Sequence, residues 1–181
     1  MLAAIVLWVG LAAAATPAPP QGEFFLRAAS KGVQLDAKGA AAMISNYRRS
    51  HGLGPVRIDP ELMRLAQQHA RTMAAHKELG HNVGGSFEER VRKSALRARF
   101  VAENVAAGQR TLAEAFAAWR DSPGHRANML APEVTRFGIG VARMGGSQYR
   151  VFWALILASP DERGIDKGNP VLWPFLIVPR P

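Results

Sequence analysis

The sequence predicts an α+β fold, because helix-type and strand-type patterns occupy different stretches of one chain. Apolar residues recur at helical spacing in several stretches before residue 123, whereas residues 137–142 and 149–158 form β-rich runs. Glycines between these two runs favour an antiparallel hairpin. With 181 residues, 48% hydrophobic and 20% charged, the composition excludes a disordered chain or a polytopic membrane protein and predicts one globular domain.

Two long helices are predicted in the first half of the chain. The first spans residues 36–50 and carries Arg48 and His51 near its C-terminus, where the helix dipole favours cations. The second begins at Asp59, an N-cap followed by proline at the first helical position, and continues to about Lys77.

Shorter elements complete the predicted domain. Ser86-Phe87-Glu88-Glu89 and Thr111-Leu112-Ala113-Glu114 are capping boxes, and each predicts the start of a helix. Pro123-Gly124 is expected to end the second of these helices. Residues 100–105 are predicted to form a third short strand, and Arg90-Val91-Arg92-Lys93 to belong to a solvated helix face.

The N-terminal segment predicts export. Residues 1–15 are apolar, shorter than the ~20 residues of a membrane-spanning helix, and end in an A-x-A pattern typical of a secretory signal peptide. No Lys or Arg precedes the apolar stretch, so an uncleaved membrane anchor is the alternative to a secreted or periplasmic protein. Residues 16–37 are predicted to form a leader or linker, residues 38–159 the folded domain, and residues 160–181 a C-terminal tail.

Charge and cysteine content narrow the functional classes. The chain has 23 Lys and Arg against 14 Asp and Glu, a formal charge of +9, and none of these residues lies in the first 15. An exported protein meets envelope polymers and lipids rather than nucleic acid, so the charge indicates either solvation or attraction to anionic phosphates and carboxylates. The absence of cysteine excludes disulfides, thiolate metal sites and cysteine nucleophiles.

Histidines and one acidic residue are the candidates for chemistry. His81 follows the long helix in a loop, and His125 lies at a break between two helical segments. Glu103 interrupts an apolar stretch, where a buried carboxylate needs a partner such as histidine. His69 and His76 lie on the apolar stripe of the second helix and are expected to be packing or helix-edge histidines. The sequence contains no H-E-x-x-H zinc motif.

Four ordered motifs resemble a known family. Residues 79–82 (LGHN), 102–108 (AENVAAG), 119–130 (WRDSPGHRANML) and 137–142 (FGIGVA) are similar to successive signatures of the CAP superfamily in its bacterial SCP-like form. This superfamily comprises cysteine-rich secretory, antigen 5 and pathogenesis-related 1 proteins. The resemblance covers residues 40–159. It implies an α-β-α sandwich, with a small antiparallel sheet between helical layers and a central cleft.

The resemblance also assigns residues to that cleft. His81 and His125 match the two cavity histidines of the family, and Glu103 matches its first cavity glutamate. A second glutamate is common in the family shortly after the tryptophan; here Asp121 is displaced by one position and Ser122 stands where the acid is expected. The predicted cleft therefore contains His81, Glu103, His125 and Asp121, and the sequence does not supply the family's second glutamate for a mechanism that needs two carboxylates.

Three functional interpretations follow for these residues. The favoured one is a monomeric binding module for lipid or anionic envelope ligands, in which His81 and His125 hold a labile zinc ion and Glu103 orients one imidazole. The alternative is an extracellular peptidase or esterase, in which His125 activates Ser122 or a zinc-bound water and Glu103 is the orienting residue. In the third, the histidines and Glu103 form only a structural hydrogen-bond network.

Overall fold

A computed structural model describes residues 35–145, 149–160 and 171–172. Five helices lie in these segments: α1 (Ala37–Arg49), α2 (Pro60–His76), α3 (Phe87–Arg92), α4 (Leu112–Asp121) and α5 (Pro123–Met129). The strands are β1 (Arg57–Ile58), β2 (Phe100–Ala107), β3 (Arg136–Arg143), β4 (Val151–Ala158) and β5 (Val171–Leu172). The predicted signal peptide, most of the leader and most of the tail fall outside the described residues.

Side-chain caps begin the helices where the sequence predicts. Asp36 accepts a hydrogen bond from the backbone N–H of Gly39 at 2.9 Å, and Asp59 accepts bonds from the first turn of α2. Ser86 and Thr111 cap α3 and α4 through the N–H groups three residues later. The four predicted helix starts are therefore confirmed.

The predicted break between two helical segments near residue 123 is present and is one residue long. Helix α4 ends at Asp121, Ser122 is extended, and Pro123 occupies the first turn of α5. Proline is well suited to that position because its missing N–H has no helical partner there. The first helix therefore ends just before Pro123-Gly124, which begins the second, and His125 lies inside α5.

The sheet has the order β1-β3-β4-β2-β5. Strands β3 and β4 pair antiparallel as the predicted hairpin, and β4 pairs antiparallel with β2 along most of its length. The flanking strands β1 and β5 add parallel pairs of two residues each. The central antiparallel sheet is confirmed, and its short parallel edges were not predicted.

Helices cover both faces of this sheet. On β4, Trp153, Leu155 and Leu157 pack into a core that includes residues of α1 and α4. The alternating residues Phe152 and Ile156 pack into a second core with apolar residues of α2 and α3. Since side chains alternate along a strand, β4 is buried on both sides. This arrangement confirms the α-β-α sandwich.

No helix within the described segments is long and apolar enough to span a membrane.

Candidate functional site

Glu103 lies at the centre of the sandwich because of its position on β2. Val101 and Val105 share its face of the strand and pack in the core beneath α2 and α3. Asn104 points to the opposite face, toward α5, where its side chain donates to the backbone oxygen of His125 at 3.0 Å. The Glu103 side chain is fully buried. A buried carboxylate in this layer requires partners.

The Glu103 carboxylate is bound on both oxygens. Its Oε1 accepts a hydrogen bond from His81 Nδ1 at 2.9 Å, and its Oε2 accepts one from Arg90 Nη2 at 2.6 Å. Burial alone would raise the pKa of Glu103, but the His81 hydrogen bond and the surrounding basic side chains, Arg90 among them, together outweigh burial, so the pKa is lowered. Glu103 is therefore an anion at neutral pH.

The Glu103 bond fixes the tautomer of His81. An ionised carboxylate only accepts hydrogen bonds, so the proton on His81 lies at Nδ1. In the neutral ring, Nε2 then carries a lone pair. This is the arrangement by which carboxylates orient metal-binding histidines in proteins.

His69 and Arg90 belong to the same cluster, although the sequence assigned them elsewhere. His69 is fully buried on α2; its Nε2 bonds to the Gly80 oxygen at 2.9 Å and lies 3.6 Å from Glu103 Oε1. Burial lowers the pKa of His69, so the ring is neutral. The predicted packing histidine thus also lines the site.

Arg90 corrects the prediction of a solvated face on α3. Its side chain is only 14% exposed and reaches the Glu103 carboxylate. Phe87 and Val91 are buried, and Arg90 lies three residues after Phe87 on the same side of the helix. Spacing alone does not show which side of this short helix packs inward.

His125 faces His81 from α5. Its ring centroid lies 6.4 Å from that of His81, with the ring planes inclined by 53°. Burial, with a smaller contribution from His81, lowers the pKa of His125 to about 4, so its ring is neutral. His125 Nε2 is buried and has no hydrogen-bond partner among the described residues. The backbone of His125 is held by Asn104, which in turn accepts a bond from Asn128 at 2.9 Å.

Asp121 and Ser122 do not join this cluster through hydrogen bonds between the described residues. The Asp121 side chain is 66% exposed and pairs with Arg120 Nε at 2.8 Å. Ser122 is half-buried at the N-cap of α5, and its side chain makes no capping bond. In the described part of the chain, no hydrogen bond joins Ser122 to His125. The structure thus joins Glu103, His81 and His125 but leaves Asp121 in solvent.

A separate hollow of about 450 Å³ runs along the outward face of α2. Apolar atoms form most of its surface, although its described lining residues are mainly polar or cationic: Arg64, Gln67, Gln68, Arg71, Thr72 and Ala75. The histidines do not line it, so the candidate site is the compact cluster around Glu103 rather than this hollow.

Comparison with known proteins identifies the family. Residues 41–157 match the model of the family described as CAP, the cysteine-rich secretory protein family. The chain belongs to the CAP family. The curated protein YkwD of Bacillus subtilis is 28% identical over 135 residues, which are 74% of this chain and 52% of YkwD. This CAP chain therefore spans only about half the length of that relative.

Solved structures show the same fold. An extracellular SCP-domain protein from Bacillus anthracis superposes with a TM-score of 0.59 at 21% identity, covering 68% of this CAP chain and 40% of the other. An outer surface protein of Borrelia burgdorferi gives 0.58 at 20% identity, covering 67% and 90%. At these identities the likeness establishes the fold.

Proposed function

We propose that this CAP protein is an extracellular, non-enzymatic binding module whose His81 and His125 hold a labile divalent transition-metal ion such as Zn²⁺. One observation carries the proposal: His125, a neutral imidazole with an unpartnered Nε2, faces a His81 ring whose Nδ1–H is bound to an ionised carboxylate. Neutral imidazole nitrogens are common zinc ligands, and the carboxylate contact raises their basicity.

The residues fit a weak site rather than a closed one. No group of three or more His, Cys, Asp or Glu side chains in the described segments is placed to hold a metal. With Zn–N bonds of about 2.0 Å, two imidazoles on one tetrahedral ion have ring centroids about 5 Å apart. The observed 6.4 Å exceeds that separation by more than about 1 Å, so the two rings would have to move closer together to share one ion. The metal would supply Lewis acidity and an open position for an exogenous ligand.

Hydrolysis has less support than binding. A general base needs an oxygen free to accept a substrate proton, but both Glu103 oxygens are bound and its pKa is lowered. The second carboxylate of the family pattern has no equivalent in the cluster, because Asp121 is exposed. Ser122 has no bond to His125 that would activate it as a nucleophile.

Two observations support the extracellular placement. The matched Bacillus anthracis protein is described as extracellular and the Borrelia protein as an outer surface protein. Residues 1–15 of this chain have the pattern of a signal peptide, with a retained anchor as the alternative.

Zinc titration by calorimetry tests the metal pair. We expect the wild-type protein to bind one zinc ion and the His81→Ala, His125→Ala double variant to lose that binding. A His51→Ala, His76→Ala variant is the matched control, because both of its histidines are exposed. Equal zinc binding by the wild type and the His81/His125 variant would show that the pair is not the site.

A further inference from the structure

We propose that Arg90 is the positioning residue of the histidine pair. Its guanidinium binds both the Glu103 carboxylate and the backbone oxygen of His81. These two contacts keep His81 Nε2 available as a metal ligand. This inference rests on the proposed metal pair and adds the residue that orients His81 within it. Within the described residues, Arg90 makes no hydrogen bond to either imidazole ring; it acts through Glu103 and the main chain of His81.

The Arg90 guanidinium contacts strand β2, the loop that carries His81, and its own helix α3. Its Nη2 donates to Glu103 Oε2 on β2 at 2.6 Å, and its Nη1 donates to the His81 oxygen at 2.7 Å and the Gly85 oxygen at 3.3 Å. The guanidinium carbon also lies 5.4 Å from the centre of the Phe87 ring, a cation–π contact within α3. The loop that carries His81 is thereby tied to the strand that carries Glu103.

Arg90 and His81 bind different oxygens of the Glu103 carboxylate. Arg90 occupies Oε2, which leaves Oε1 directed at His81 Nδ1 at 2.9 Å. Arg90 also holds the main chain of His81, so the ring and the carboxylate cannot shift independently. Without the guanidinium the carboxylate is free to rotate, and the ring loses the contact that selects the Nδ1–H tautomer. The Nε2–H tautomer has no lone pair at Nε2 for a metal.

Lysine cannot replace this contact completely. A lysine ammonium is a point charge on a flexible stem, whereas the planar guanidinium directs separate N–H groups at separate acceptors. Arg90→Lys therefore keeps the charge but loses simultaneous binding of Glu103 and the His81 oxygen.

The chain offers a matched control in the pair Arg136 and Asp59. Arg136 Nη1 lies 2.7 Å from Asp59 Oδ2, and both side chains are 14% exposed. Like Arg90, Arg136 also donates to two backbone oxygens, those of Ser159 and Arg97. Asp59, the N-cap of α2, precedes His69 by ten residues, about 15 Å along the helix, so the control pair is remote from the Glu103 cluster.

The test compares full-length wild type, Arg90→Gln, Arg90→Lys and Arg136→Gln. Long-range ¹H–¹⁵N spectra of the metal-free proteins, recorded at one mildly alkaline pH, report the His81 tautomer, and zinc titration reports affinity. We expect only the Nδ1–H tautomer in wild type and Arg136→Gln, and both tautomers in Arg90→Gln. Zinc affinity should fall roughly 10- to 100-fold in Arg90→Gln, less in Arg90→Lys, and remain unchanged in Arg136→Gln.

The outcomes separate this inference from the proposed function. A single Nδ1–H tautomer and wild-type zinc affinity in Arg90→Gln would overturn the role of Arg90 and leave the metal pair intact. A mixed tautomer in Arg90→Gln with no zinc binding in wild type would support the role of Arg90 in orienting His81 and overturn the metal pair. If Arg90→Gln does not fold, Arg90→Lys decides: wild-type tautomer and affinity would overturn the inference, and weaker binding than Arg136→Gln would support it.

Discussion

His125 is buried as a neutral imidazole, and the stability of the fold therefore depends on pH. Its pKa falls from 6.5 to about 4 in the folded protein, chiefly through burial. In the unfolded chain the ring regains its ordinary pKa and binds a proton more readily than in the folded state. The contribution of His125 to stability is thus complete above the unfolded pKa and is lost as pH falls toward the folded one.

We therefore expect acid to destabilise the protein through this residue. Between about pH 7.5 and about pH 5, His125 alone should lower the free energy of unfolding by up to about 2 kcal/mol. Urea unfolding of wild type and His125→Gln at both pH values measures the difference. The variant should lose less stability on acidification, whereas an unchanged pH dependence would show that His125 is not buried in its neutral form.

Individual site residues differ in how far the sequence predicts them. Glu103 and His81 were found because a carboxylate in an apolar strand needs a partner and because the family motifs contain them. Arg90 was missed because its direction depends on where α3 packs, which spacing alone does not give. Arg48 shows the same limit: predicted as a cation at a helix end, it is buried and donates to four backbone oxygens, those of Gly54, Met129, Ala131 and Val134.

At the scale of elements, α2 approaches β3 unusually closely. A Cβ built on Gly138 would lie 2.0 Å from the carbonyl carbon of Leu62, and one on Gly140 would lie 2.4 Å from Gln67 Cα. Gln67 also bonds to the backbone of Val141 on β3, with its Nε2 2.9 Å from the carbonyl oxygen. The sequence predicts this helix and this strand separately, but it does not show that the glycines are where they meet.

Gly140→Ala should disrupt this contact. The methyl group would meet helix backbone, which cannot move aside as a flexible side chain can, so we expect a loss of at least about 2 kcal/mol in the free energy of unfolding. Gly54→Ala is the control, since nothing lies within 4 Å of its Cβ, and it should change stability by less than about 0.5 kcal/mol. Equal stabilities in urea unfolding would contradict the close packing of α2 on β3.

At the scale of the whole molecule, the formal charge of +9 predicts attraction to anionic surfaces. Several arginines that expose their side chains are distributed over different elements: Arg57, Arg71, Arg92 and Arg97. We expect the protein to sediment with phosphatidylglycerol vesicles but not with phosphatidylcholine vesicles, and His125→Ala to bind equally well. Binding should weaken as the screening length falls from about 10 Å at 0.1 M salt to about 3 Å at 1 M.

The salt dependence distinguishes binding through charge from binding through an apolar anchor. A retained apolar N-terminal anchor would hold the protein on both vesicle types at any salt concentration. That result would contradict charge as the basis of binding, as would loss of vesicle binding in His125→Ala.

The facing imidazoles of His81 and His125 are the proposed metal site. Anomalous diffraction at the zinc edge, from crystals of the protein grown with zinc, tests it most directly. We expect an anomalous peak about 2.0 Å from Nε2 of both His81 and His125, with Glu103 still bound to His81 Nδ1. Zinc found only at other residues, with this pair metal-free, would contradict it.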